Sequence, residues 1–174
     1  MTFYRHIHPT LTREQQENFV TLGRHLVRLA DDPKYDAAEF DLTRTAIDLN
    51  TGDDLTPDQA AAHPGPLACN LLGHAVRAGL KPLPGEDWLA YQLRILGAEH
   101  DSPLEDWLLS FLWWKLDSTS VGGALRLMYV LDYGVPGDFE QIRDGQAESD
   151  YLDNGFLWDR LGMMPLRSWK AATT

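Results

Sequence analysis

The sequence predicts a mainly α-helical fold: a single helical domain of about five to six helices, with a long acidic connection and an aromatic C-terminal tail. Apolar residues recur at spacings of three and four, and helix-start signals stand directly before these segments. Segments that alternate apolar and polar residues, as half-buried strands do, are missing. The predicted boundaries are residues 1–144 for the helical domain and 145–174 for the tail, which docks on the domain or on a partner.

The first helix is predicted from about Thr12 to Ala30. Its apolar stripe recurs every three or four residues and consists of Phe19, Leu22, Leu26 and Leu29. The segment Thr12–Gln15 has the form of a capping box, in which side chains and backbone at the helix start satisfy each other's hydrogen bonds. Pro33 ends the helix, because proline lacks the backbone N–H that a helix needs.

Helical periodicity fails across residues 35–66, and this stretch is predicted to be a long, partly structured acidic connection. Residues 36–60 carry seven acidic side chains and one basic side chain, a balance of −6. Within this stretch Thr56 is placed as a helix N-cap and Pro57 as the first helical residue, which predicts a short helix to Ala62.

Further helices are predicted in the second half of the chain. Their approximate spans are Pro66–Ala78, Glu86–Leu96, Ser102–Leu116 and Ser118 or Ser120 to Leu131, with a short helical turn at Asp138–Ile142. The segment Ser102–Glu105 combines an N-cap, a proline at the first helical position and a glutamate at the third, which marks a helix start. That helix is apolar on nearly all sides, so it is expected to be central.

The net charge of −11 is uneven along the chain and indicates the class of partner. Residues 101–150 carry ten acidic and three basic side chains, a balance of −7, so the chain outside this segment and the acidic connection is about +2. Such a surface repels phosphate backbones, so direct nucleic-acid binding is not expected. The remaining interpretations are attraction to a basic protein surface, imitation of a nucleic acid in a basic groove, or solubility alone.

The candidate contacts for a basic partner combine acidic and aromatic side chains. They are Asp53, Asp54 and Asp58 in the acidic connection, with Trp114, Trp158 and Trp169. Tryptophan near acidic groups is typical of binding hot spots, because the large ring buries much area beside a charged contact. Packing into the core is the other interpretation of each tryptophan.

The single cysteine, Cys69, is the candidate nucleophile of an alternative, enzymatic function. It stands three residues into the helix predicted from Pro66, where the positive end of the helix dipole favours a thiolate. His74 lies about 140° round that helix from Cys69, so the more distant His100 is the candidate base. A cysteine-dependent hydrolase or transferase is therefore the alternative function, and a packed core cysteine is the simpler interpretation.

Motifs for metals, cofactors and membranes are missing from the sequence. No spacing typical of a zinc, P-loop or dinucleotide site occurs, so no metal or cofactor is predicted. The segment Asp48–Asp54 resembles a calcium loop, but its glycine is one position early and Gln59 stands where a glutamate is needed. No apolar run reaches the length of a membrane span and the first residues lack a signal-peptide core, so a cytoplasmic location is expected.

Several short motifs occur together between Cys69 and Phe139. They include Cys69-x-x-x-Gly73-His74, Pro82-Leu83-Pro84-Gly85-Glu86-x-Trp88 and Gly134-Val135-Pro136-x-Asp138-Phe139. As a set they resemble an uncharacterised family of small bacterial and phage proteins, over about 70 of the 174 residues. The chain has Pro64-Gly65-Pro66 where the family pattern has Cys-Gly-Thr, so a role that needs two cysteines is lost. The resemblance implies a phage or mobile-element context and no activity.

The sequence therefore predicts a non-enzymatic, cytoplasmic interaction protein whose acidic face binds a basic protein partner, as a defence or counter-defence factor. The cysteine-dependent enzyme is the alternative. A structural virion or assembly component is a further hypothesis, which rests on the aromatic residues of the tail.

Overall fold

The computed structural model describes residues 6–110, 119–136 and 161–162. Within these ranges the chain is mainly α-helical, as the sequence predicts, with six α-helices and four strands of two or three residues. The helices are α1 (Arg13–Ala30), α2 (Pro57–Ala62), α3 (Leu71–Arg77), α4 (Trp88–Leu96), α5 (Pro103–Leu109) and α6 (Ser120–Tyr133). The strands are β1 (His6–Ile7), β2 (Ala46–Asp48), β3 (Leu67–Cys69) and β4 (Val135–Pro136), and a 3-10 turn spans Ala37–Glu39. None of the described helices has the length and apolar character needed to cross a membrane.

The starts of α1, α2 and α5 follow the capping signals of the sequence. At α1, Thr12 accepts a hydrogen bond from the N–H of Gln15, and the Gln15 side chain accepts one from the N–H of Thr12. Thr56 and Gln59 form the same reciprocal pair at α2, and Ser102 caps α5. Each cap satisfies N–H groups that have no partner inside the helix, so it fixes where the helix begins.

The helix predicted over Pro66–Ala78 is wrong in its first part. Residues there form β3, which pairs antiparallel with β2 so that Cys69 lies opposite Ala46. Helix α3 begins only after Asn70, whose side chain accepts hydrogen bonds from the first free N–H groups of the helix. A strand of three residues is too short to show a period of two, so the sequence does not reveal it.

The core is built around α6. Helix α6 is buried without a break over Ser120–Val130, and α1 packs chiefly against it and also against α3 and α4. Helix α5 contributes Trp107 and Leu108, which are both fully buried. The predicted continuation of the Ser102 helix, with Trp114, lies outside the described residues.

Little of the predicted C-terminal tail is described. Leu161 is fully buried, and its carbonyl oxygen accepts a hydrogen bond from Arg24 Nε on α1 at 2.7 Å. Docking of the whole tail over residues 145–174 stays a prediction. The helical turn predicted at Asp138–Ile142 lies outside the described residues.

Candidate functional site

Two of the three predicted acidic contact residues, Asp54 and Asp58, line a groove. It has a volume of about 340 Å³ and lies between residues 54–58 and residues 85–88. We call this cavity the acidic groove; its lining consists of Asp54, Leu55, Thr56, Pro57, Asp58, Gly85, Glu86, Asp87 and Trp88. Asp53 is exposed beside the groove and is not part of its lining.

Two hydrogen bonds join the walls of the acidic groove. The indole Nε1–H of Trp88 donates to the carbonyl oxygen of Leu55 at 2.9 Å, and the N–H of Gly85 donates to Asp58 Oδ2 at 2.8 Å. Trp88 also packs edge-on against the fully buried Tyr91, with ring centroids 5.7 Å apart. The fold therefore holds the groove in shape before any partner binds, which lowers the entropic cost of binding.

Three of the four carboxylates in the groove keep an uncompensated negative charge. Glu86 forms an ion pair with Arg94 at 2.7 Å, and this contact holds the pKa of Glu86 below its ordinary value. Among the described residues, no cationic side chain lies within 4.0 Å of Asp54, Asp58 or Asp87. Asp58 and Asp87 accept hydrogen bonds from neutral backbone N–H groups, which orient the carboxylates without cancelling their charge.

This arrangement fits a cation that carries an apolar stem. The carboxylates attract the charged end of a lysine or arginine, while Trp88, Leu55 and Pro57 offer apolar surface to its methylene groups. The face of an aromatic ring also attracts the cation itself, by about 0.5–2 kcal/mol depending on exposure. The groove is thus suited to the side chains of a basic peptide.

Sequence reasoning missed Asp87 and Trp88 as site residues. Asp87 is the N-cap of α4, so helix capping already accounts for it, and Trp88 falls in a helix whose apolar residues predict core packing. The available signal is the segment Glu86–Trp88, where two acidic residues stand directly before a tryptophan at a helix start. The predicted contact residues Trp114, Trp158 and Trp169 lie outside the described residues.

Cys69 lies in a strand, directly before the N-cap of α3, so the prediction that it stands three residues into a helix is wrong. It is the last residue of β3, is fully buried, and its carbonyl oxygen accepts a hydrogen bond from the N–H of Asp41 at 2.9 Å. Burial raises the pKa of the thiol to about 12, which keeps it protonated near neutral pH. His100 is exposed and contacts Asp101 and Glu105 at the surface, so the structure does not bring it to Cys69.

His74 forms a hydrogen-bonded pair with His25 instead of facing the cysteine as a base. Its Nε2 lies 2.8 Å from the carbonyl oxygen of Glu39, and its Nδ1 lies 3.3 Å from Nε2 of His25. Because a carbonyl only accepts, Nε2 of His74 carries the hydrogen, and Nδ1 accepts from the Nε2–H of His25. Burial, followed by the effect of His25, lowers the pKa of His74 to about 3, so its ring is neutral. The pair joins α3 to α1.

One group of side chains in the described ranges offers metal-ligand atoms: His100, Asp101 and Glu105, within 4.8 Å of one another. Glu105 also accepts hydrogen bonds from the N–H of Asp101 and from the side-chain amide of Gln92. These contacts tie down the start of α5 and account for the cluster without an ion. The absence of a metal site stays a prediction.

Comparisons with known proteins add no identification. The chain matches no protein-family model. No functionally curated protein and no solved structure matches it either. The resemblance to small bacterial and phage proteins therefore stays a prediction, and the function is argued from the site.

Proposed function

We propose that this protein is a non-enzymatic, cytoplasmic interaction protein that binds a basic segment of a partner protein in the acidic groove. The observation that carries the proposal is the convergence of Asp54, Asp58 and Asp87, all without a cationic partner among the described residues, around Trp88. Separate parts of the chain bring these groups together, since the acidic connection supplies the first two and the start of α4 supplies the others. If the acidic charge served only to keep the protein in solution, these carboxylates would not need to lie together around a tryptophan.

The groove favours arginine or lysine side chains over other ligands. Its negative charge repels phosphate groups, so nucleic acid is disfavoured there. An extended basic segment can place one cationic side chain against Trp88 and a neighbouring one near Asp53. Each exposed ion pair contributes about 0.2–1 kcal/mol, so affinity requires several contacts and is expected to fall as salt screens them.

Two parts of the proposal rest on the sequence alone. Trp114, Trp158 and Trp169 are proposed as further contacts of the partner, and the resemblance to phage and bacterial proteins suggests a defence or counter-defence role. No specific observation favours the cysteine-dependent alternative, because Cys69 is buried and its thiol is protonated near neutral pH.

The test is binding of a fluorescently labelled arginine-rich peptide, measured by fluorescence anisotropy at low and at physiological salt. We expect the double variant Asp54→Asn/Asp58→Asn to bind about tenfold more weakly, because two charge contacts are lost. Asparagine at position 58 still accepts the hydrogen bond of Gly85, so the groove keeps its shape.

The matched control removes two acidic charges outside the groove, in the variant Glu14→Gln/Glu99→Gln. Both residues are exposed, and neither lines the groove. We expect this control to weaken binding by less than about twofold, since neither side chain lines the groove and salt weakens the pull of charges outside it. Equal weakening in both double variants would show unspecific attraction to the acidic surface and contradict the proposal, as would absence of binding to the unaltered protein.

A further inference from the structure

A second cavity has the opposite charge. It has a volume of about 380 Å³ and lies along the C-terminal half of α1 and the end of α3. We call it the cationic pocket; its charged or ionisable lining residues are Arg24, His25, Arg28, Asp32 and Arg77. Three arginines around one cavity are unexpected on a chain whose net charge is −11.

The arginines of the cationic pocket are positioned by neutral groups. Arg77 donates to the carbonyl oxygens of His63 and Gly65 at 3.0 and 2.6 Å, and Arg24 donates to that of Leu161 at 2.7 Å. In the part of the chain that the structure describes, no carboxylate lies within 4.0 Å of these two guanidinium groups or of exposed Arg28. Carbonyl groups orient the guanidinium groups and leave their charge available for a ligand.

The opposing charges near the pocket are smaller than the charge of the three arginines. Asp32 contributes one negative charge, and the C-terminal end of α1 contributes a partial charge of about −0.5. The end of the shorter helix α3 adds a similar partial charge at most. The sum over these groups stays positive, by about one charge.

His25 lies in the positive field of these arginines. Burial is the largest cause that lowers its pKa, and the nearby charges of Arg77 and Arg28 lower it further. Its Nε2–H is already engaged with His74, so the ring forms a fixed, neutral part of the wall. The cavity therefore combines three cationic groups with a rigid floor.

We propose that the cationic pocket binds the phosphate group of a small phosphate monoester. A phosphate dianion offers more charge and one more terminal oxygen than a carboxylate to the remaining N–H groups of the three arginines. The volume lies within the range of about 300–1,000 Å³ typical of small-molecule sites, so an organic group fits beside the phosphate. Leu29 and Ala78 supply apolar surface for it. A nucleic-acid backbone is disfavoured, because acidic segments elsewhere on the chain repel it.

The experiment titrates the full-length protein with inorganic phosphate and with phenyl phosphate, followed through the ring-proton resonances of His25 by nuclear magnetic resonance. We expect saturable shifts of His25 with both probes and tighter binding of phenyl phosphate. Acetate at equal ionic strength should bind more weakly than inorganic phosphate, because it carries less charge and fewer oxygens. Binding of acetate as tight as that of phosphate would overturn the proposal.

Two variants in α1 test whether phosphate binds in the cationic pocket or to any positive charge on the surface. Arg28→Gln should weaken phosphate binding about tenfold, since a charge-assisted contact is lost. The Arg28 side chain is exposed, and the substitution keeps the backbone carbonyl that accepts from the N–H of Asp31, so the fold is expected to persist, as the thermal unfolding midpoint would verify.

Arg13→Gln is the matched control on the same helix. Arg13 lies about 22 Å along the helix axis from Arg28, which exceeds two Debye lengths at physiological salt. We expect this variant to bind phosphate like the unaltered protein. Equal loss in both variants, or no saturable binding to the unaltered protein, would overturn the proposal.

Discussion

The acidic groove and the cationic pocket have similar volumes, about 340 and about 380 Å³, yet they carry opposite charge. In both, side chains that bear the charge are oriented by backbone groups: Asp58 by the N–H of Gly85, and Arg77 by the carbonyl oxygens of His63 and Gly65. The net charge is a sum over all residues, and it does not show where the charges lie or which of them are paired. A chain at −11 can therefore hold an uncompensated positive cavity.

The two cavities share one structural support, the acidic connection. On the groove side, Trp88 donates a hydrogen bond to Leu55 of the acidic connection. On the pocket side, Arg77 donates hydrogen bonds to His63 and Gly65 of the same segment. His63 Nε2 also lies 2.8 Å from Asp48 Oδ2, so two parts of the acidic connection contact each other. A substitution that displaces the acidic connection is thus expected to affect both cavities. A substitution of a charged side chain that lines one cavity and does not contact the connection should affect that cavity alone.

The largest expected effect comes from Gly73→Ala, which should damage both cavities. Gly73 lies where α3 crosses the end of β3, and a Cβ there would lie 2.6 Å from Cys69 Sγ and closer still to the carbonyl oxygen of Thr45. Because one of these neighbours is backbone, the cost is expected to reach about 3 kcal/mol or more. Urea unfolding followed by circular dichroism measures it.

Gly52→Ala is the matched control for that substitution. Gly52 has a φ of +77° and open space around its Cα, so alanine there meets conformational strain without a clash. The expected loss is about 1 kcal/mol, from the left-handed backbone alone. Equal losses in the two variants would contradict the close approach of α3 to β3.

The second prediction compares two arginines of the same pocket. Arg77→Gln loses the hydrogen bonds to His63 and Gly65 and should cost about 2 kcal/mol of unfolding free energy, since the donor is charged. Arg28→Gln, at an exposed position, should change that free energy by less than about 0.5 kcal/mol. Urea unfolding of both variants is the measurement. If the two changes were equally costly, Arg77 would not be supporting the connection.

Local signals in the sequence predict the starts of α1, α2 and α5 but not how the cavities are assembled. Thr12, Thr56 and Ser102 act on N–H groups within the same turn, so their caps are visible in the sequence. Strand β3 is defined by its pairing with β2 and carries no local pattern of its own.

Some site residues are likewise indicated by the local sequence, whereas others join the site only through contacts between distant parts of the chain. A local run of charge indicates Asp54 and Asp58, whereas Trp88 joins them only through a contact with Leu55, 33 residues away. The cationic pocket requires Arg77 of α3 to meet Arg24 and Arg28 of α1, which no spacing in the sequence predicts.

The smallest expected effect is a loss of stability in mild acid that originates behind the cationic pocket. In the folded protein the pKa of His74 is lowered to about 3 and that of His25 is also lowered, chiefly by burial in both cases. The unfolded chain binds protons at both imidazoles near pH 6.5, whereas the folded chain binds them only at lower pH, so stability falls as pH decreases through that value. Between about pH 7.5 and pH 5.5 the unfolding free energy should fall by about 1–2 kcal/mol.

The variant His74→Gln tests the origin of this loss. Its side-chain amide can still donate to the carbonyl oxygen of Glu39, but it does not titrate, so about 1 kcal/mol of the pH dependence should disappear. His25→Gln removes the other imidazole of the pair and should also reduce the pH dependence, because the pKa of His25 is lowered as well. Urea unfolding at both pH values measures each variant, and an unchanged pH dependence in His74→Gln would show that the buried pair is not its source.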